Sequence, residues 1–197
     1  MKYLITSVPK SGTYLTANIF KNLGISDSGI HIQNATKSLY IVGGWRQDKN
    51  NKNYNERVYK NSEDIIDEVK DGEFLTGHIE KTELMTKKFL GYKKVLLVRD
   101  MSGIIDSAIR YKRDQNVNLL PHINIEKFKS IEEWKNDSDC FTINFDDLIA
   151  KNIDVMNDLQ IYLFGEVRLD SLEIIELSLK QDSPTKSNLR KDISHEK

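Results

Sequence analysis

A single cysteine, Cys140, stands in a chain of 197 residues. One thiol excludes an intrachain disulfide framework and suits a reducing compartment. Its place before the apolar run FTINF makes it a core residue. An excess of one charge is missing too: 29 Lys and Arg against 30 Asp and Glu leave a net −1. Bulk attraction to nucleic acid or to an anionic membrane is therefore not expected, and any anion must be held by cations placed locally. No stretch approaches the ~20 apolar residues of a membrane span. The first residues run straight into an apolar segment with no leader pattern, so the expected location is cytoplasmic. There is no internal repeat, and no His/Cys/Asp cluster has metal-ligand spacing, so no metal is expected. Hydrophobic residues at 39% and charged residues at 30% give a globular balance, with length for one domain over 1–197.

Residues 3–24, YLITSVPKSGTYLTANIFKNLG, organise the rest. YLITSV is apolar and β-branched, as a strand buried on both faces should be. Pro9 cannot donate to a ladder and should end it. Leu15, Ile19, Phe20 and Leu23 then recur at helical spacing, with Gly24 as the stop. Between strand and helix sit Lys10, Ser11, Gly12 and Thr13. Small residues there gather backbone N–H groups at a helix N-terminus, which is a phosphate site, and Lys10 adds a full charge. An ordinary βα turn with an exposed lysine is the plainer reading. The loop is not G-x-x-x-x-G-K-[ST]: Ser7 replaces the first glycine, Thr13 follows Gly12, and the lysine precedes the glycine by two. A standard kinase or NTPase is disfavoured.

Residues 25–62 read as a long loop with one short element at SLYIV. It either covers the site or is a surface insertion. His31 has no evident partner there. EDIIDEVK (63–70) is a short helix. FLTGH is a strand ending at His78, and KTELMTKKFLG (81–91) is a helix. VLLV is a second buried strand. Residues 102–113 form a helix with Ser102 as N-cap and an inward stripe of Ile104, Ile105, Ala108 and Ile109. Pro121 and His122 lie in a loop, and IEKFKSIEEWK is helical. DCFTINFDDL is a strand leading into a helix. Residues 152–165 place Ile153, Met156, Leu159 and Leu163 on one core face, and 171–181 repeat the style. Alternating strand and helix with continuous apolar strands predicts a parallel, doubly wound α/β sheet. In such sheets ligands bind beyond the carboxyl ends of strands. Lys10, His78 and Arg99 all fall at such ends.

PKSGTY resembles the 5′-phosphosulfate loop, PKSGTxW, of the sulfotransferases that use 3′-phosphoadenosine 5′-phosphosulfate (PAPS), with Tyr14 where Trp is frequent. Arg99-Asp100, Asp106, Ser107 and Tyr111 are similar to that family's R-D-P-x-D-x-x-x-S-x-Y/W element, with Met101 in place of Pro. GHIEKTEL resembles the segment ending T-H-L-P. Thr76 stands where many members carry lysine. INFDDL resembles x-Y-E-D-L, a structural element near the site.

The resemblance implies a three-layer, mostly parallel sheet flanked by helices, P-loop-NTPase-like. It implies PAPS as co-substrate, with Lys10, Ser11, Gly12, Thr13 and Tyr14 on the 5′-phosphosulfate and Arg99 and Ser107 on the 3′-phosphate. It implies His78 as base, with Glu80 or Glu83 as the alternative. In the tail, Arg190-Lys191-Asp192 is similar to the R-K-G loop that closes on the 3′-phosphate; read from composition alone, the tail is a frayed terminus. It implies a small-molecule or carbohydrate acceptor. A non-catalytic nucleotide binder and a small-molecule kinase remain the alternatives.

Overall fold

The computed structural model describes residues 1–32, 39–42, 57–60, 62–115, 120 and 123–181. The chain begins with β1 (Lys2–Ser7), α1 (Thr13–Asn22) and β2 (Ser26–Ile32), followed by β3 (Leu39–Val42) and β4 (Arg57–Lys60). Then come α2 (Ser62–Glu68), β5 (Glu73–Gly77), α3 (Glu83–Lys88), β6 (Tyr92–Val98) and α4 (Met101–Gln115). α5 (Ile125–Glu132) runs into a short 3-10 turn, and β7 (Cys140–Asn144), α6 (Phe145–Ile149), α7 (Ile153–Phe164) and α8 (Ser171–Lys180) complete the order.

β1 lies at the centre of a five-stranded sheet in the order β2-β5-β1-β6-β7, every pair parallel. Its side chains alternate between two cores, as the period of a strand demands. Tyr3 and Ile5 pack with Phe20 of α1, Met156 and Leu159 of α7 and Ile175 of α8. Leu4 faces the other way, with Ile65 and Ile66 of α2, Met85 of α3 and Phe128 of α5. Helices thus cover both faces, which is why the strands read as unbroken apolar runs. The connection from β1 leads toward β2 and that from β6 toward β7, on opposite sides. The switch point is therefore the carboxyl end of the β1–β6 pair, where a ligand crevice is expected.

The structure departs from the sequence reading in four places. Within 25–62, β2 joins the main sheet and β3 pairs antiparallel with β4. β2 escaped notice because its first half is polar and irregular. Ser28 Oγ donates to the Phe74 carbonyl at 2.8 Å, Asp27 accepts from the Gly29 amide, and the register shifts between Asp27 and His31. Second, Ser102 is not the cap of α4. The Asp100 carboxylate is, accepting from the Gly103 amide at 3.2 Å and from the Ser102 hydroxyl. Third, Ile104 and Ala108 are buried, but Ile105, Ile109 and, on α7, Ile153 are exposed. Fourth, Cys140 is only half-buried beside the core, its thiol pushed up to about 12 chiefly by burial. Pro121, His122 and the tail from 182 onward lie outside the described residues.

Candidate active site

The loop after β1 is shaped by two left-handed residues, Lys10 at φ 70° and Gly12 at φ 96°. The Ser11 amide donates to the Val8 carbonyl at 3.2 Å, closing the turn. Gly12 is required twice over. Its backbone is costly for any L side chain, and a Cβ there would strike the Phe145 ring, 2.8 Å from Cε2. As the residue preceding α1, Gly12 offers no side-chain cap, and the first turn of α1 holds no acid. Thr13 Oγ1 is tied to Ser7 Oγ at 2.6 Å. Ser11 Oγ is buried with no hydrogen-bond partner among the described residues. Tyr14 is half-buried in the same turn.

Phe145, the first residue after β7, forms the floor. The Arg99 guanidinium lies over its ring, 4.3 Å from the centroid, and Arg99 Nη1 reaches the Lys10 carbonyl at 3.4 Å. Gly103 makes room for this, since a Cβ there would sit 2.5 Å from Arg99 Nε. The Lys10 ammonium rests 4.0 Å from the centroid of Tyr111 on α4. Burial first, then the Arg110 and Arg99 charges, lower it to about 8. Ser107 is buried on α4, three residues before Arg110 and four after Gly103, so all three share one helical face. The sheet thus brings Lys10, Ser11, Gly12, Thr13, Arg99 and Tyr111 together at its switch point, with positive charge crowded on itself.

His78 follows β5, next to β1. Gly77 lets the backbone pass β2, because a Cβ there would meet the Ile32 carbonyl at 2.7 Å. The His78 amide donates to that same carbonyl at 2.8 Å. The His78 ring has Nδ1 2.8 Å from the Ser7 carbonyl oxygen and 3.4 Å from Ser7 Oγ. A nitrogen facing a carbonyl oxygen must carry the proton, so in the neutral ring Nε2 is the accepting nitrogen. The carboxylate alternatives are engaged elsewhere. Glu80 faces Lys127 Nζ at 3.8 Å, and exposed Glu83 pairs with Lys87 one turn on.

Sequence reasoning missed Arg110, His31 and the use made of Phe145. Arg110 was signalled by its spacing from Ser107 and Gly103. Phe145 sat inside INFDDL but showed no aromatic pattern, since its partners are far away in the chain. Arg190 and Lys191 lie outside the described residues. No group of three His, Cys, Asp or Glu suited to a metal occurs among the described residues. No helix among them is long and apolar enough to cross a membrane.

Neither protein-family models nor curated protein sequences match the chain. Solved structures do. The mouse sulfotransferase SULT7A1 complexed with PAP superposes with a TM-score of 0.58 at 16% identity, covering 92% of this chain and 66% of that one. A retinol dehydratase in complex with androsterone and the inactive cofactor PAP gives 0.54 at 13% identity, covering 90% of this chain and 63% of its own. The chain therefore spans a little under two thirds of the length of these proteins. At such identities the likeness is one of architecture, and the architecture this chain has is the sulfotransferase fold.

Proposed function

We propose that this domain is a PAPS-dependent sulfotransferase acting on a hydroxyl or amine of a small-molecule or carbohydrate acceptor. The observation that carries the proposal is the crowding of Lys10, Arg99 and Arg110 around a loop that supplies no anion of its own. Burial first, then repulsion from Arg110 and Arg99, hold Lys10 near 8, and a polyanionic nucleotide would favour its charged form. The buried Ser11 hydroxyl, without a partner among the described residues, adds a donor for it.

PAPS supplies an activated sulfuryl group on a phosphate leaving group. Lys10, the Ser11 hydroxyl and the N–H groups of residues 12–14 at the start of α1 hold the 5′-phosphosulfate and stabilise the charge that grows on the phosphate as transfer proceeds. Arg99 offers a planar fork to the 3′-phosphate, and Ser107 a neutral donor. Tyr14 packs beside the nucleotide. Arg110 extends the positive field on the same face of α4. Arg190 and Lys191 are assigned to the 3′-phosphate on the sequence resemblance alone. His78 takes the acceptor proton at Nε2, while Nδ1–H, held on the Ser7 carbonyl, fixes ring and tautomer. Transfer is in line, with the acceptor attacking sulfur opposite the phosphate. One domain carries the whole site.

The test is transfer of labelled sulfuryl from PAPS to a panel of alcohols, phenols, sugars and amines. Acceptor-dependent product in wild type is expected, with His78→Ala losing transfer but still binding PAP. PAP binding without transfer to any acceptor would favour a non-catalytic binder. Phosphoryl transfer from ATP with Mg²⁺ would favour a kinase.

A further inference from the structure

The imidazole of His31 is a buried titratable group that this mechanism leaves unused. It is 2% exposed. β2 pairs with β5 so that His31 lies opposite Thr76, and His31 Nδ1 meets Thr76 Oγ1 at 2.8 Å. Two residues along β5, His78 begins. Its ring stands at 87° to that of His31, with centroids 5.2 Å apart. The strand order β2-β5-β1 explains the arrangement. His78 leaves the middle strand, the Ser7 carbonyl on β1 holds one side of its ring, and His31 on β2 walls the other.

We propose that His31 is a positioning residue for His78. Thr76 fixes the His31 ring, and the perpendicular ring contact leaves His78 one orientation, with Nδ1 on the Ser7 carbonyl. A single hydrogen bond fixes one atom of an imidazole and still allows the ring to rock about it. A flat neighbour at edge-to-face distance removes that freedom. A proton acceptor gains from such restraint because misplacement by about 1 Å can cost as much as ~10²-fold in rate. Aromatic shape is the property required, so the hydrogen bond to Thr76 serves the ring and does not replace it.

The kinetic arm of the test rests on the sulfotransferase reading, and the spectroscopic arm does not. Full-length wild type, His31→Ala, His31→Phe, His31→Gln and Thr76→Val are compared by ¹⁵N spectra of the His78 ring and by kcat and KM for PAPS. Wild type and His31→Phe should show His78 as the Nδ1–H tautomer alone. His31→Ala and His31→Gln should show a mixture of tautomers. Thr76→Val should fall between. In kinetics, His31→Ala should lose about tenfold in kcat with KM for PAPS within about twofold, and His31→Phe should stay within about threefold of wild type. A folded His31→Ala with an unchanged His78 tautomer and kcat would overturn the proposal. So would equal kcat losses in the Phe and Ala variants that follow their melting temperatures. If His31→Ala does not fold, the Phe and Gln variants decide: unchanged His78 tautomers in both contradict the proposal. Absence of transfer by wild type would reject the sulfotransferase reading and leave the tautomer spectra to judge His31.

Discussion

Two strand-to-helix turns at the same edge of the sheet are finished in opposite ways. After β7, Asn144 caps α6 itself, its Oδ1 accepting from the Asp146 amide at 3.1 Å, and Asp146 and Asp147 fill the first turn with negative charge. After β1, Gly12 precedes α1 with no side-chain cap and no acid in the first turn, and the charges acting on neighbouring Lys10 are Arg110 and Arg99. Every helix N-terminus leaves N–H groups without intrahelical partners, and folding is cheapest when a nearby side chain accepts from them. The β7 turn takes that solution. The β1 turn has neither the cap nor the acids, and Arg110 and Arg99 act on Lys10 beside it. The lesson is that two equivalent turns can be told apart by whether a side chain caps the helix that follows.

The sharpest way to break the comparison is to remove the central cation. Lys10→Ala should reduce sulfuryl transfer by about 10³-fold, as expected for a charge that acts mainly on the leaving phosphate; steady-state assays showing a rate within a few-fold of wild type would remove its assigned role. The pH dependence of binding comes next. The Lys10 ammonium titrates at about 8 in the free protein, and an anionic ligand prefers the charged form, so binding must raise this value. PAP affinity should then be level below pH 8 and decline by up to about tenfold per unit above it. Lys10→Arg should flatten the profile. Calorimetry across pH 6.5–9.5 measures this. A smaller effect is expected for Arg110→Gln. PAP affinity should drop about tenfold, and the Lys10 titration, followed by NMR, should move up because its largest charge neighbour is gone. Smallest is the control turn. Asn144→Ala should cost about 1 kcal/mol of stability in denaturant unfolding and leave PAP affinity unchanged.

The turn after β1 was legible in the sequence, for a physical reason, while the Asn144 cap of α6 was not. A strand buried on both faces must be apolar throughout, so YLITS and VLLV declare themselves, and a tight strand-to-helix turn favours glycine where the backbone turns left-handed, which fixes Gly12. What stayed hidden depends on contacts between distant segments. β2 is half polar because its hydrogen bonds are completed by Ser28 and Asp27 side chains. The inward stripe expected on α4 was too wide, since Ile105 and Ile109 turn outward, and local periodicity alone does not say how far the opposing core extends. Asp100 caps α4 where Ser102 was expected, although either residue type serves. His31 had no partner within reach along the chain. Its partners, Thr76 and His78, are 45 and 47 positions away and arrive only through the parallel pairing of β2 with β5.

The central claim is that the open turn after β1 and the cations around it form a nucleotide bisphosphate site. Calorimetric titration of wild type and Arg99→Ala with PAP, beside AMP and ATP with Mg²⁺, tests it most directly. The account predicts tight binding of PAP by wild type, much weaker binding of AMP and ATP, and loss of the PAP preference in Arg99→Ala. No PAP binding by folded wild type, or a preference for ATP with Mg²⁺, would contradict it.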